Sequence, residues 1–352
     1  MTDNAAAIDV DQQHTHRHPG ASRDPVLLNA TLNPIHSLLR NYLIATLFAT
    51  ISPRFIASTS QLFPMTIYDL HCHSTASDGL LAPAALVARA AKNGVEVLAL
   101  TDHDSLDGLV EARQAAAEHQ LSLVNGLEIS VTWRERTLHI VGLDVALDHL
   151  ALNEGLQTLQ LKRQARAQEI GDKLARAGFP DALEEARRYG SDTNVTRTHF
   201  ARVLLARGAV STMQDAFNRY LKRGKPAYVK TSWVELSQAV EWINGASGRA
   251  VIAHPNRYDL TATKLRELLG EFVASGGRGL EVVYGGIDAN VVGNNAAYAR
   301  NFKLQASVGS DFHEPNTPWR ELGRLPRLPK DLTPIWSEPW KTATPVVNAP
   351  SN

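Results

Sequence analysis

With 352 residues and 44% apolar content, the chain can bury a sizeable core, and its length suits one large domain carrying an insertion or two smaller domains. Lys plus Arg equal Asp plus Glu at 36 each, so no overall field draws the chain to duplex DNA or to an anionic membrane, and any phosphate recognition has to be local. The single cysteine, Cys72, excludes an intramolecular disulfide and fits a reducing cytoplasm.

Residues 1–64 are expected to form a poorly ordered N-terminal extension, because the composition changes at Met65, just before the first convincing strand. His14, His16 and His18 read as a solvated polar tract there. The apolar residues 42–51 are too few to span a bilayer and too far from the N-terminus for a signal peptide. No expected site residue lies before Met65, so this segment is expected to be dispensable.

Residues 66–70 predict a strand that runs into His71-Cys72-His73. A strand places residues i and i+2 on one side, so His71 and His73 converge on one point while Cys72 faces away. Asp78-Gly79 suits a turn, and Pro83 with Leu86, Val87 and Ala90 opens an amphipathic helix. Residues 95–100 predict a second strand ending in Thr101-Asp102-His103-Asp104, followed by a helix over 109–119. Residues 121–124 lead to Glu128, and residues 138–143 read as the second arm of a hairpin turning through 133–136, which carries His139.

Barrel-type alternation then stops. Residues 149–226 carry helical patterns, many charges and no good strand, and read as an inserted helical subdomain between a first barrel part (65–148) and a second (227–322). In the second part, residues 250–253 end at His254-Pro255, residues 280–283 form another strand, and residues 304–308 run into Gly309-Ser310-Asp311-Phe312-His313. Residues 323–352 are expected to be a proline-rich surface tail. The alternation of strands and helices is what a βα barrel or a doubly wound sheet requires.

Ligand-type side chains recur at strand ends: His71, His73, Asp78, His103, Glu128, His139, His254, Asp311 and His313. Taken singly, His139 or His254 would be a satisfied buried histidine, Glu128 an ion-pair partner and Asp311 a helix cap. Together they exceed what one mononuclear site uses, since a catalytic zinc site takes about three protein ligands. They point to a cluster of two or three ions, and the absence of thiolates favours manganese, iron or zinc. His119 and His149 fall on helical surface patterns and are left out.

This ordered set, from Asp69-Leu70-His71-Cys72-His73-Ser74 to Gly309-Ser310-Asp311-Phe312-His313, resembles the polymerase and histidinol phosphatase (PHP) family over most of residues 66–320. The resemblance implies a distorted (β/α)7 barrel with the helical insertion, and two or three divalent ions at its rim, Mn2+ first with Fe2+ or Zn2+ as alternatives. It also implies a ligand grouping: His71, His73, Glu128 and Asp311 on one ion, Glu128 bridging to a second held by His139 and His254, and Asp78, His103 and His313 on the third. A hydroxide shared between ions would be the nucleophile, and the ions would draw charge from the phosphoryl oxygens.

The insertion, with Thr196-Arg197-Thr198-His199-Phe200 and Arg219-Tyr220-Leu221, is similar to the branch that acts on 3′,5′-nucleoside bisphosphates and short RNA. That likeness implies loss of the 3′-phosphate from a nucleotide or 5′-to-3′ trimming of RNA. Arg197 offers a planar fork for phosphate, and His199 a proton donor. Lys225, clustered with Lys222 and Arg223, adds positive charge. The rival expectations are a histidinol-phosphate or other small phosphomonoesterase, and a non-catalytic metal-binding regulatory domain. A sequence-specific RNA-binding module is disfavoured by the neutral charge and the lack of aromatic stacking motifs.

Overall fold

A computed structural model describes residues 66–343 apart from Asp192, so the expectations for residues 1–65 and 344–352 lie outside the described residues. Its sheet contains β1 (Tyr68–Asp69), β2 (Val97–Leu100), β3 (Ser122–Trp133), β4 (Arg136–Leu143), β5 (Val234–Glu235), β6 (Arg249–Ile252), β7 (Gly279–Tyr284) and β8 (Gln305–Gly309). Seven of them follow the order β1-β2-β3-β4-β6-β7-β8, and β5 pairs off this path with β3. The Leu70 N–H donates to the Val308 carbonyl at 3.0 Å and the Asp311 N–H to the His71 carbonyl at 2.8 Å, which brings β8 back to β1. The architecture is the distorted seven-stranded α/β barrel.

One strand runs backwards. β4 is antiparallel to both β3 and β6, whereas the other pairs are parallel. Arg134 and Glu135 both take positive φ (45° and 66°), as primed two-residue hairpin turns require. The expectation that His139 sits at a C-terminal strand end is therefore corrected: it lies in the first half of β4, and the reversal carries it to the rim.

Period-two alternation sorts the strand residues between two environments. Leu98 and Leu100 face outward onto α1 (Pro83–Lys92) and α2 (Leu109–Glu118), where Cys72 also packs. Leu138, Ile140, Ala250 and Ile252 face α7 (Leu236–Gly245) and α8 (Ala262–Ala274), next to α9 (Ala289–Phe302). Inward, Val97, Ala99, Val124, Val141, Leu143 and Val251 form an apolar plug. Two, four or six residues further toward the rim, the same inward faces carry Glu128 and Ser130 on β3 and His139 on β4. The lumen is thus apolar at one end and ligating at the other.

The insertion has its own core. α3 (Leu150–Arg176) is 27 residues long, which is about 40 Å. Leu152, Leu156 and Leu159 pack on the barrel side, whereas Ala167, Ile170 and Leu174 join Phe200, Val203 and Leu204 in a separate cluster. That cluster gathers α4 (Ala182–Arg187), α5 (Arg197–Ala206) and α6 (Met213–Ala216), which runs into a π-helical turn, Phe217–Leu221. His149 caps α3 by accepting the Leu152 N–H through Nδ1. Among the described residues, no helix is long and apolar enough to cross a membrane.

The segment after Gly323 differs from the expected surface tail. Ile335 is fully buried in the apolar plug, and Trp336 stacks on Tyr68 with ring centroids 4.3 Å apart. The Ile335 N–H donates to the Ala306 carbonyl at 2.9 Å, and the Arg249 guanidinium donates to the carbonyls of Ile335, Glu338 and Pro339. Asp144 accepts the N–H groups of Lys341 and Thr342. The prolines disguised a segment whose Ile335 and Trp336 seal the end of the barrel opposite the ligands. Ile335→Ala is expected to destabilise the fold by about 2 to 5 kcal/mol, read by urea unfolding. A loss below about 1 kcal/mol would show that the segment only rests on the surface.

Candidate metal centre

All nine ligand-type residues meet at the rim. The Nε2 atoms of His71 and His73 are 3.1 Å apart, as the alternation of a strand predicts. Glu128 sits among five imidazoles: Oε1 is 3.4 Å from His71 Nε2, 3.1 Å from His139 Nδ1 and 3.1 Å from His254 Nε2, while Oε2 is 3.3 Å from His73 Nε2 and 2.8 Å from His103 Nδ1. Asp311 Oδ1 is 3.3 Å from His73 Nε2, and Asp78 Oδ1 is 3.3 Å from His313 Nε2. Two of these residues have left-handed backbones, His254 at φ 25° and Asp311 at φ 51°. Such conformations persist where the surroundings over-determine them.

The donor set fits divalent ions. Four groups bring ligand atoms within 4.8 Å of one another: His73, Asp78, His103 and His313; His71, His73 and Glu128; His71, His254 and Asp311; and His103, Glu128 and His139. Asp78 Oδ1, His103 Nδ1, Glu128 Oε2 and His139 Nδ1 are buried without hydrogen-bond geometry, although oppositely charged partners stand near. Lone pairs that converge without a proton between them are satisfied by a shared cation. His71, His73 and Glu128 fall together, with Asp311 Oδ1 3.6 and 3.3 Å from the two imidazoles; Asp311 also falls with His71 and His254, and His73 with Asp78, His103 and His313.

The charges are arranged to suit ligation. Burial opposes ionisation of Glu128, but His139, His71 and His103 more than reverse it and hold the carboxyl well below its usual range. Asp78 and Asp311 are lowered in the same way, Asp311 with Arg257 as the largest attractive charge. Burial, reinforced by His313 and His103, pushes His73 down to about 3, and burial pushes His139 down to about 4, so both are neutral and free to coordinate. Burial opposes the charge on His313, yet Asp78 and Asp311 raise it to about 9, so loading an ion there has to displace a proton.

Several partners escaped the sequence reading. Glu281 accepts from His71 Nδ1 at 2.9 Å and from the His254 N–H at 2.5 Å, which fixes the ring of one ligand and the backbone of another. Its signal was a carboxylate inside an otherwise apolar strand. Arg257 donates to Asp311 Oδ2. Asp102 accepts from the Ser74 N–H, the Ser74 hydroxyl and the Ser77 hydroxyl, fastening the loop between His73 and Asp78. Gly309 leaves room for His71, since a Cβ there would lie 2.2 Å from the His71 Cβ. Glu281→Gln is expected to cost about tenfold in metal affinity, because the carboxylate no longer orients His71. Competition titration with a chelator measures it, and unchanged affinity would make Glu281 a packing residue.

Beside His103 and His139 the insertion builds a cleft lined by Arg163, Arg166, Arg197 and Phe217. Arg163 pairs with Asp104 at 2.6 Å, and its other arm reaches Ser130 Oγ at 2.9 Å. Among the described residues, no carboxylate pairs with Arg166 or Arg197. Burial, then Arg197 and Arg163, push Arg166 well below the usual arginine range. The insertion is tied to the rim through Thr196 Oγ1 on Asp78 Oδ2 at 3.1 Å and Asn194 Nδ2 on the His103 carbonyl at 2.6 Å.

Two expected site residues are not brought to this cleft. His199 is fully buried, and its Nδ1 accepts the Thr196 N–H at 3.2 Å, half of a capping box that starts α5. Burial holds its pKa down to about 4, and its ring braces the start of α5. Lys225 is exposed, as are Lys222 and Arg223, and Lys222 Nζ bonds Asn218 at 3.0 Å. Closeness in sequence to Arg197 did not become closeness in space.

Residues 69–243 match the family profile of the PHP domain. The chain is 46% identical over 271 residues to a 5′-3′ exoribonuclease of Haemophilus influenzae, covering 77% of this chain and 98% of that one. It is 43% identical over 275 residues to a 3′,5′-nucleoside bisphosphate phosphatase of Chromobacterium violaceum, covering 78% and 96%. A solved Chromobacterium violaceum structure, described as an amidohydrolase with bound sulfate and no metal, aligns with a TM-score of 0.77 at 41% identity, covering 81% of this chain and 100% of that one. With these identities running over nearly the whole barrel and nine ligand-type side chains gathered at its rim, the chain belongs to the PHP family.

Proposed function

We propose that the chain is a metal-dependent phosphoesterase that hydrolyses the ester at the 3′ oxygen of a nucleotide already phosphorylated at its 5′ position. The substrate is a 3′,5′-nucleoside bisphosphate, or a short 5′-phosphorylated RNA trimmed 5′ to 3′. The names of the similar proteins support this choice. The observation that carries it is the arginine cleft beside the ligand cluster: ions hold only the phosphoryl group under attack, and a second phosphate needs cations of its own.

Divalent ions, Mn2+ first with Fe2+ or Zn2+ as alternatives, would be held by the nine ligands, where they would draw charge from the phosphoryl oxygens and make water nucleophilic near neutral pH. The chain's own task is placement. Arg166 and Arg197 bind the 5′-phosphate. Thr196 and Asn194 hold the insertion in register with the rim, so the sugar's 3′ ester lies over the cluster. Asp104 fixes Arg163, and Glu281 fixes His71. The buried Cys72 thiol suits a cytoplasmic setting.

The test is turnover of adenosine 3′,5′-bisphosphate, AMP, histidinol phosphate and a short 5′-phosphorylated RNA by the manganese-loaded chain. Phosphate is expected from the bisphosphate and 5′-mononucleotide from the RNA, each at least about tenfold more efficiently than phosphate from AMP or histidinol phosphate. A preference for histidinol phosphate would transfer the chain to the small-phosphomonoesterase reading. No turnover of any of them by a metal-loaded chain would favour a regulatory domain.

A further inference from the structure

The rim has a second flank. After β7 come Gly285 and Gly286, and the 3-10 turn Pro318–Arg320 packs on them: a Cβ at Gly285 would lie 2.9 Å from Arg320 Cγ, and one at Gly286 would lie 3.0 Å from Trp319 Cδ1. Arg320 Nη1 stands 3.6 Å from Asp311 Oδ2, so the turn that carries Trp319 borders the ligand cluster. Trp319 is 63% exposed, and it is the only exposed aromatic side chain among the described residues. A tryptophan left in water at that place offers a broad, flat apolar face that the fold itself does not use.

The sheet order separates this face from the arginines. The cleft adjoins β3 and β4 through Ser130 and His139, whereas Trp319 adjoins the ends of β7 and β8, across the seven-strand ring. The ligand cluster lies between. If the 5′-phosphate sits in the arginine cleft and the attacked phosphorus at the cluster, a further nucleotide carried on that phosphorus has to leave on the Trp319 side.

We infer that Trp319 is a stacking platform for the base on the 3′ side of the scissile bond, so that it sets the preference for oligonucleotides over mononucleotide bisphosphates. The inference rests on the proposed function and adds a subsite for the nucleotide downstream of the scissile bond, the one that keeps the attacked phosphorus. In the reaction, the oxygen of water bonds to phosphorus, the bond from phosphorus to O3′ breaks, and its electron pair stays on O3′, which takes up a proton. The downstream fragment keeps the phosphate on its 5′ oxygen and is again a 5′-phosphorylated substrate. Arg257 and Arg320 stand on the same flank to meet its backbone. Stacking is sequence-tolerant because every base has a flat face, which suits a trimming reaction.

The experiment compares wild type, Trp319→Ala and Trp319→Phe, all as the full manganese-loaded chain. The substrates are adenosine 3′,5′-bisphosphate, a 5′-phosphorylated triadenylate, and the same trinucleotide lacking its second base. On the triadenylate, Trp319→Ala is expected to lower kcat/KM about tenfold, chiefly through KM, and Trp319→Phe to restore most of it; bisphosphate turnover should stay within about twofold. Wild type should lose the same factor on the trinucleotide without its second base, and Trp319→Ala should lose little more. Equal losses on bisphosphate and triadenylate would overturn the inference, as would wild-type indifference to the missing base. Failure of the proposed function is separate, since wild type would then turn over neither the bisphosphate nor the trinucleotide.

Discussion

Glu128→Ala is expected to cost at least about a thousandfold in kcat/KM and to strip the chain of part of its metal, the largest effect of any single substitution in the barrel. The carboxylate is fully buried, its two oxygens face five imidazoles between 2.8 and 3.4 Å, and it belongs to two of the four ligand groups. Removing it takes a buried negative charge out of two of the ligand groups and leaves neutral imidazoles with less charge to balance the cations. Elemental analysis after manganese loading, beside kcat/KM on adenosine 3′,5′-bisphosphate, is the measurement. Glu128→Gln keeps the shape and removes the charge, so it separates ligation from packing: it should behave like the alanine variant in metal content while melting closer to wild type. Undiminished metal in both variants would remove Glu128 from the site. Recovery of fewer than about two ions per wild-type chain would contradict a multinuclear centre.

The ligands were legible because they break a pattern. Strand ends that should be apolar carry imidazoles and carboxylates, and His71 and His73 share a face for the reason any i and i+2 pair does. Glu281 breaks the same pattern but is flanked by neither histidine nor a turn, so nothing in its neighbourhood flagged it. The arginines of α3 were hidden by the opposite effect. On a long helix with many charges, Arg163 and Arg166 look like a solvated face, and only the packing of α3 across the barrel turns that face toward His103 and His139. The role of His199 was written in the sequence as a Thr three positions ahead of it, a capping spacing with His at the place usually held by Glu or Gln. The reversal of β4 was legible as the hairpin through residues 133–136, whereas the burial of Ile335 depends on how the sheet closes, which no local pattern encodes.

Arg197→Ala is expected to lower kcat/KM on adenosine 3′,5′-bisphosphate by about one to two orders of magnitude, since a charge-assisted contact to phosphate is worth roughly 1.5 to 3 kcal/mol. On a simple aryl phosphate, which has no second phosphate, the loss should be slight. Among the described residues, Arg197 has no carboxylate partner, and its guanidinium lies 5.8 Å from the Phe217 ring in a cleft shared with Arg163 and Arg166. Arg163 is neutralised by Asp104, so Arg166 and Arg197 are the two charges left for an anion. Without one they repel each other: burial and the neighbouring guanidiniums disfavour both in their charged forms. Arg166→Ala should therefore lose activity on the bisphosphate by a similar factor while raising the melting temperature of the ligand-free chain, because an unpaired charge leaves a partly buried place. Arg197→Lys should recover only part of the loss, as a point charge replaces a planar fork. The decisive number is the ratio of mutant to wild-type efficiency on the two substrates, taken at equal metal content. Equal losses on bisphosphate and aryl phosphate would place Arg197 on the transferred group or in folding, and the second-phosphate cleft would then have to be sought elsewhere on the rim.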